Sequence, residues 1–311
     1  MSNTPAAPRK AHQAYDYSLV DVFAEQPLAG NQLAIFSDAR GLTTEEMQSL
    51  ARETNLSETT FILPRDTATE REHGVQVRIF TVAEELRFAG HPTLGTASWL
   101  HWNHPTLASA SEITLDLPIG PIAVRFTPSG LDDFGIFGTM QQNNPIFGEV
   151  HDRVALAKAL GLSIDDLDPN LPAQTVSTGM PFCIVPLRSL EVAARLAIPQ
   201  HTASTYLERR DAKFFHCVTR AATQSGADWH ARMQFYNGED PATGSASGCF
   251  ISWLVQHKLA ATGQQVIIEQ GVEMRRPSRI HASATREGDK VTKVFVGGRT
   301  IPVANGRFFL P

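Results

Sequence analysis

His91-Pro92-Thr93-Leu94-Gly95-Thr96-Ala97 and Asp240-Pro241-Ala242-Thr243-Gly244-Ser245-Ala246 are the two stretches that decide how this chain is expected to fold. Pro, Gly and Ala fall at matching places, Thr96 faces Ser245, and the offset is 240 − 91 = 149 residues. Upstream, Gly30-Asn31-Gln32-Leu33-Ala34-Ile35-Phe36 matches Gly179-Met180-Pro181-Phe182-Cys183-Ile184-Val185 at the same offset, 179 − 30 = 149. Recurrent turn chemistry could produce either pair alone. A shared offset points instead to two duplicated halves.

The patterning around these stretches fits that reading. In the first half, strands are predicted over 18–23, 33–36, 59–63 and 75–80, with Val75, Val77 and Ile79 alternating with polar residues. A helix is predicted over 43–53, with Thr43 or Thr44 as cap and Glu45 and Glu46 in its first turn. A second helix is predicted over 92–101 and a hairpin over 113–126. In the second half, helices are predicted over 153–160 (stopped by Gly161), 190–196 and 244–257. Strands are predicted over 174–177, 182–186, 214–219, 231–236, 266–269, 279–284 and 290–296. Strands with one long helix per half read as α+β, not as alternating βαβ. Residues 1–14 read as a flexible tail, 15–131 as an N-terminal domain and 132–298 as a C-terminal domain. The boundary is expected near 129–134, and 299–311 is expected as a strand returning to the first domain.

Both motifs lie where a strand gives way to a helix. Pro92 and Pro241 suit a turn or first helical position, and Gly90, Gly95 and Gly244 let backbone approach a ligand. The first N–H groups of a helix lack partners within it, and that end carries partial positive charge, so it accepts a carboxylate or phosphate. One such motif is an ordinary helix start. Two of them, with His91 and Asp240 at matching motif positions, suggest a shared cleft for a small anion.

Composition removes other classes. The 311 residues carry a formal net charge of -5, with scattered Lys and Arg, which is a poor match to nucleic acid or an anionic membrane surface. No apolar run approaches the roughly 20 residues of a membrane helix. Residues 1–14 lack an apolar signal core, so a cytoplasmic location is expected. The three cysteines, Cys183, Cys217 and Cys249, are odd in number and sit among apolar neighbours, which suits buried thiols rather than a disulfide framework. There is no GxGxxG, GxxxxGK[ST] or HExxH motif, and Ser245 lies in TGSASG rather than GxSxG. His101 and His104 read as surface residues at a helix end, and no metal site is expected.

Seven segments carry a family resemblance: AGNQLAIF (29–36), NLSETTF (55–61), FAGHPTLGTA (88–97), STGMPF (177–182), EDPATGSASG (239–248), QGVEMRRPS (270–278) and VGGRTIPV (296–303). In this order they resemble the phenazine-biosynthesis PhzF-like isomerases and epimerases, over nearly the whole chain after the tail. The resemblance implies the diaminopimelate epimerase-like fold: two pseudo-symmetric domains, each a curled β-sheet around a central helix, with the site between them. It implies a cofactor-independent isomerase acting on a small carboxylate, and a homodimer is among the assemblies it allows.

By this resemblance Glu58 of NLSET is the general acid/base, and His91 and Asp240 contact substrate and shape the proton path. Gly244 and Ser245 hold the substrate carboxylate through their amides, and Ser57 and Gly90 line the site. Asn31 is a weaker binding candidate, read more readily as a turn residue of AGN. Related epimerases carry two cysteines at the helix starts. His91 and Asp240 stand there in this chain, so a two-thiol mechanism is not expected at those positions. Gln32, Val82 and Arg87 depart from the family pattern without touching Glu58, His91 or Asp240. Without the resemblance, a lone Glu in Ser-Glu-Thr-Thr would read as a solvated or capping carboxylate. The alternatives are an amino-acid epimerase or racemase, and a non-catalytic binding or scaffold protein of the same fold.

Overall fold

A computed structural model describes residues 13–128, 134–235 and 238–310. The first half runs β1 (Gln13–Val22), β2 (Asn31–Phe36), α1 (Thr44–Thr54), β3 (Glu58–Leu63), α2 (Thr67–His73), β4 (Val75–Phe80), β5 (Glu85–Leu86), α3 (Gly90–Asn103), β6 (Glu112–Leu117), β7 (Gly120–Thr127) and β8 (Ile136–Gln142). After β9 (Ile146–Val150) and α4 (Arg153–Leu160) come β10 (Gln174–Ser177), β11 (Pro181–Pro186), α5 (Leu190–Ala194), α6 (Gln200–Leu207), β12 (Phe214–Thr219), β13 (Trp229–Phe235) and β14 (Gly238–Asp240). The chain ends with α7 (Gly244–Gln256), β15 (Val266–Gln270), β16 (Ser278–Glu287) and β17 (Lys290–Leu310).

Each strand from β1 to β8 has a counterpart nine strands later. β2 runs parallel to β3, which pairs antiparallel with β4; β11, β12 and β13 repeat this. β4 then runs parallel to β6, and β13 parallel to β15. Hairpins β6–β7 and β15–β16 follow. The last strand of each half crosses over. β8 pairs with β17 between Ile136 and Gln142, β9 goes on to pair with β10, and the end of β17 pairs with β1. The result is an α+β fold of two pseudo-symmetric halves, each curling a sheet around one helix.

The register of the repeat differs from the sequence expectation. Element starts lie 154 residues apart (229 − 75, 244 − 90, 266 − 112 and 290 − 136), not 149. The loop region between β11 and β12 is longer than that between β2 and β3, so an offset that suits β2 and β11 drifts downstream. Gly244 is therefore the counterpart of Gly90, not of Gly95. His91 lies inside its helix, whereas Asp240 precedes its own by four residues.

Helices α3 and α7 are buried almost all round: 10 of 14 residues in α3 and 12 of 13 in α7. A helix without a polar face needs protein on every side, and the two curled sheets provide it. Gly95 is small because a Cβ there would meet Leu33 and Val22 side-chain carbons at 2.7 Å. The buried hydroxyls of Thr93, Ser98, Ser247 and Ser252 each donate to a carbonyl one turn back, so they leave no unpaired polar group. One continuous core takes in Leu94 and Leu100 of α3 with Phe250 and Trp253 of α7. Truncating Phe250 to Ala would cost about 3–5 kcal/mol.

Several local expectations need correction. Gln13 and Ala14 are strand residues paired with Leu310 and Phe309, not tail. The helix at 190 ends at Ala194, and α2, α6, β8 and β9 were not anticipated. The predicted strands over 290–296 and 299–311 are one continuous strand, β17. Residues 1–12, 129–133 and Tyr236, on which the tail, boundary and strand-end expectations fall, lie outside the described residues. All three cysteines are free and buried.

Candidate active site

The two helix starts meet. A Cβ on Gly90 would lie 2.8 Å from the Ser245 amide nitrogen and 3.1 Å from Gly244 Cα, so only glycine permits this approach. Side chains cap four of the other starts: Thr43 on α1, Asp66 on α2, Asp152 on α4 and Ser189 on α5. Neither α3, after Ala89, nor α7, after Thr243, has a side-chain cap or an acidic residue in its first turn. α6 also lacks one, but it starts far from this junction in the chain, after Pro199. Two uncapped helix starts facing each other concentrate unpaired N–H groups and positive potential at one place.

The segment before α7 is irregular, and side chains hold its backbone residue by residue. Gln270 Nε2 donates to the Asp240 carbonyl at 2.7 Å, Ser278 Oγ to Pro241 at 2.7 Å and Asn31 Nδ2 to Ala242 at 2.9 Å. The Thr243 amide donates to Gln270 Oε1 at 3.1 Å. Gly271, at φ +74°, fits because a Cβ there would strike the Pro241 carbonyl at 2.6 Å. This cradle aims the Asp240 side chain back at the first half.

Three donors converge on the Asp240 carboxylate. Asn31 Nδ2 (2.7 Å) and Ser57 Oγ (3.1 Å) reach Oδ1, and Thr243 Oγ1 (2.6 Å) reaches Oδ2. Burial pushes Asp240 up to about 6, against the downward pull of Thr243, Ser57 and Asn31. Glu58, at the start of β3, lies in a contrasting environment. Its Oε2 is buried without a hydrogen-bond partner, and desolvation, then the nearby Asp240 charge, raise its pKa well above the ordinary carboxylate value. His91 Nδ1 lies 3.6 Å from Glu58 Oε2 and 3.2 Å from Asn31 Nδ2. Burial lowers His91 to about 3, so the ring is neutral at working pH and its contact with Glu58 is not an ion pair.

A cavity of about 60 Å³ opens here, lined by Ser57, Glu58, Asp240, Thr243 and Ser245 on its polar side. Its apolar side is Leu86, Met180, Phe182, Phe214, Met233 and Phe235. Lys213 and Glu84, one from each half, pair across its mouth at 3.2 Å. The expected residues thus gather in one place but not in one layer. Ser57, Glu58, Asp240 and Ser245 face the cavity. Asn31 and His91, 1% and 3% exposed, stand behind the wall, and Gly90 and Gly244 form the helix junction. Asn31 begins β2 rather than sitting in a turn.

Sequence reasoning missed Thr243, Gln270 and the aromatic wall. Thr243 and Gln270 stood within quoted segments, DPATGSA and QGVEMRRPS, but nothing there announced a bond between residues 27 apart. Among the described residues, no group of three His, Cys, Asp or Glu side chains is gathered to hold a metal ion, and no helix is long and apolar enough to cross a membrane.

Comparison with known proteins agrees with this architecture. The family model described as "Phenazine biosynthesis-like protein" matches residues 20–306. An uncharacterised isomerase of Mesorhizobium japonicum is 35% identical over 96% of this chain and 100% of its own length. The trans-2,3-dihydro-3-hydroxyanthranilate isomerase of Pseudomonas aeruginosa is 35% identical over 94% of this chain and 99% of its own. The crystal structure of a Bacillus anthracis phenazine biosynthesis protein of the PhzF family superposes with a TM-score of 0.84 at 26% identity, covering 96% of this chain and 100% of that one. Fold, paired helix starts and whole-length similarity agree: the chain belongs to the PhzF-like phenazine biosynthesis family and is an enzyme of its isomerase/epimerase class.

Proposed function

We propose that the protein isomerises a small unsaturated carboxylic acid without a cofactor, with Glu58 taking a proton from one carbon and returning it to another. One observation carries this reading: Glu58, whose Oε2 is buried without a hydrogen-bond partner, lines the same cavity as Asp240, a carboxylate held by three donors. Two acids whose environments differ this much are suited to different roles, one to exchange a proton and one to stay charged. When Glu58 removes the proton, the C–H electron pair enters the π system and the double bond moves. A new C–H bond then forms at the far carbon with the proton held by Glu58. Atoms and charge balance without an oxidant or reductant.

The uncapped amides at Gly244 and Ser245 suit the substrate carboxylate. The Phe182, Phe214 and Phe235 side suits a flat apolar skeleton and keeps water from the reacting carbon. His91, neutral and buried behind Glu58, keeps that carboxyl in place without neutralising it. A second reading follows from the same cavity: two acids facing one carbon could exchange its proton on opposite faces, as in an amino-acid epimerase.

The test is incubation in D₂O with trans-2,3-dihydro-3-hydroxyanthranilate, the acid named for the Pseudomonas aeruginosa relative, beside a panel of other unsaturated acids and amino acids. A positional isomer supports isomerisation, with deuterium at the newly protonated carbon only to the extent that Glu58 exchanges with solvent before it returns its proton. Deuterium at a stereocentre of an otherwise unchanged acid supports epimerisation. Neither a positional isomer, nor an epimer, nor isotope uptake from any member with the folded protein would count against both readings.

A further inference from the structure

Gln270 closes β15 and is fully buried. The function proposed above leaves it without a role. Its hydrogen bonds have a fixed direction. The Thr243 amide can only donate, so the oxygen it meets at 3.1 Å is Gln270 Oε1, and the amide of Gln270 cannot be turned over. Its Nε2 therefore faces the Asp240 carbonyl at 2.7 Å and Thr243 Oγ1 at 2.9 Å, one hydrogen for each. Thr243 Oγ1 then accepts from Gln270, and its single hydrogen is left to point at Asp240 Oδ2, 2.6 Å away.

We propose that Gln270 is a positioning residue that locks the Thr243 hydroxyl as a donor and so keeps Asp240 an acceptor, and thereby an anion. Asn31 does the same on the other oxygen. The Ala242 carbonyl can only accept, so Asn31 presents Nδ2 to both Ala242 and Asp240 Oδ1. Of the three donors, only the Ser57 hydroxyl is free to reverse. Asp240 is also faced by Glu58 from β3 and Glu239 from its own strand, and His91 is neutral, so no cation in this set holds its charge. The directed donors do that instead. This inference deepens the proton-transfer reading of the site, and its test needs no turnover.

The experiment is a pH titration of side-chain carboxyl ¹³C resonances in protein labelled at Asp, with Asp240 assigned by its loss in Asp240→Asn. Wild type should show an Asp240 midpoint at about 6. In Gln270→Glu the new carboxylate draws the Thr243 hydroxyl towards itself, and the midpoint should rise by about one pH unit or more, the scale of one lost hydrogen bond to a charge. Thr243→Val should raise it similarly, and Thr243→Ser should restore it. Gln270→Met removes the lock without adding an acceptor, so its shift should be smaller and should vanish when combined with Thr243→Val. That pair keeps the test valid if Gln270→Glu does not fold. An unchanged midpoint in folded Gln270→Glu, or additive shifts for Gln270→Met and Thr243→Val, would overturn the proposal. Neither outcome depends on the protein being an isomerase.

Discussion

Glu58 opens β3 in the first half and Asp240 closes β14 in the second. Both face one cavity across the junction of two pseudo-symmetric units. The fold treats the two halves alike, strand for strand, yet their polar contents differ. The second half, with Asn31 and Ser57 reaching over from the first, surrounds Asp240 with donors. The first half gives Glu58 only a neutral imidazole at 3.6 Å. Duplication therefore explains where the cleft is, and the departure from symmetry is the basis for proposing Glu58 as the acid that moves the proton.

The largest effect expected from breaking this asymmetry is that of Glu58→Gln. It keeps the size of the side chain but cannot take a proton, so turnover should fall about 10²-fold or more while substrate affinity remains. Turnover and equilibrium binding, beside circular dichroism, check this; near-native turnover would move the assignment to Asp240. The same variant has a signature in stability. A carboxyl whose folded pKa is raised contributes stability that is complete below its unfolded pKa and is lost as pH rises through the folded one. Glu58→Gln should therefore gain in Tm on wild type as pH rises, and equal curves at all pH would contradict the burial argument.

Next in size is Gly90→Ala. Its Cβ would press on the Ser245 amide at 2.8 Å and on Gly244 Cα, both backbone, so the helix starts must separate. Affinity for small carboxylates should drop by roughly tenfold, the scale of one hydrogen bond to a charge, in isothermal titration. Unaltered affinity would show that the junction does not form the anion site.

An effect on stability alone lies away from the cleft. His216, on β12, is buried beside Phe250 and lowered by desolvation to about 3. Such a histidine withdraws stability as pH falls from its unfolded value of about 6.5, by about 1.4 kcal/mol per pH unit. His216→Leu should lose about 2 kcal/mol less than wild type between pH 7 and pH 5 in denaturant titrations. Parallel losses would contradict it. His91 should add a similar slope of its own.

Much of the fold was legible because duplication leaves matched turn and helix-start residues, as at Gly30 and Gly179. The register was not legible. An insertion between β11 and β12 shifts everything after it, and His91 and Asp240, matched by motif, are not structural counterparts although both reach Asn31. At the site, the sequence placed strands at β12 and β13, whose residues are buried in continuous runs, but did not show that one end of each, at Phe214 and Phe235, faces the cleft. Glu58 was legible only by resemblance, since an acid with no partner leaves no local pattern. Gln270 was invisible for the opposite reason: its partners are backbone groups and one hydroxyl, all on a segment brought near by the fold.

The central claim is that one cavity holds two carboxyls that ionise in order, Asp240 first and Glu58 at higher pH, where it becomes the carboxylate that can take a proton from carbon. Infrared difference spectra of wild type against Glu58→Gln and against Asp240→Asn, recorded across a pH series, read each group separately. The account predicts a pH range in which the Glu58 carboxylic-acid band persists while the Asp240 band has given way to carboxylate. A Glu58 that ionises before Asp240, or together with the exposed carboxylates, would contradict it.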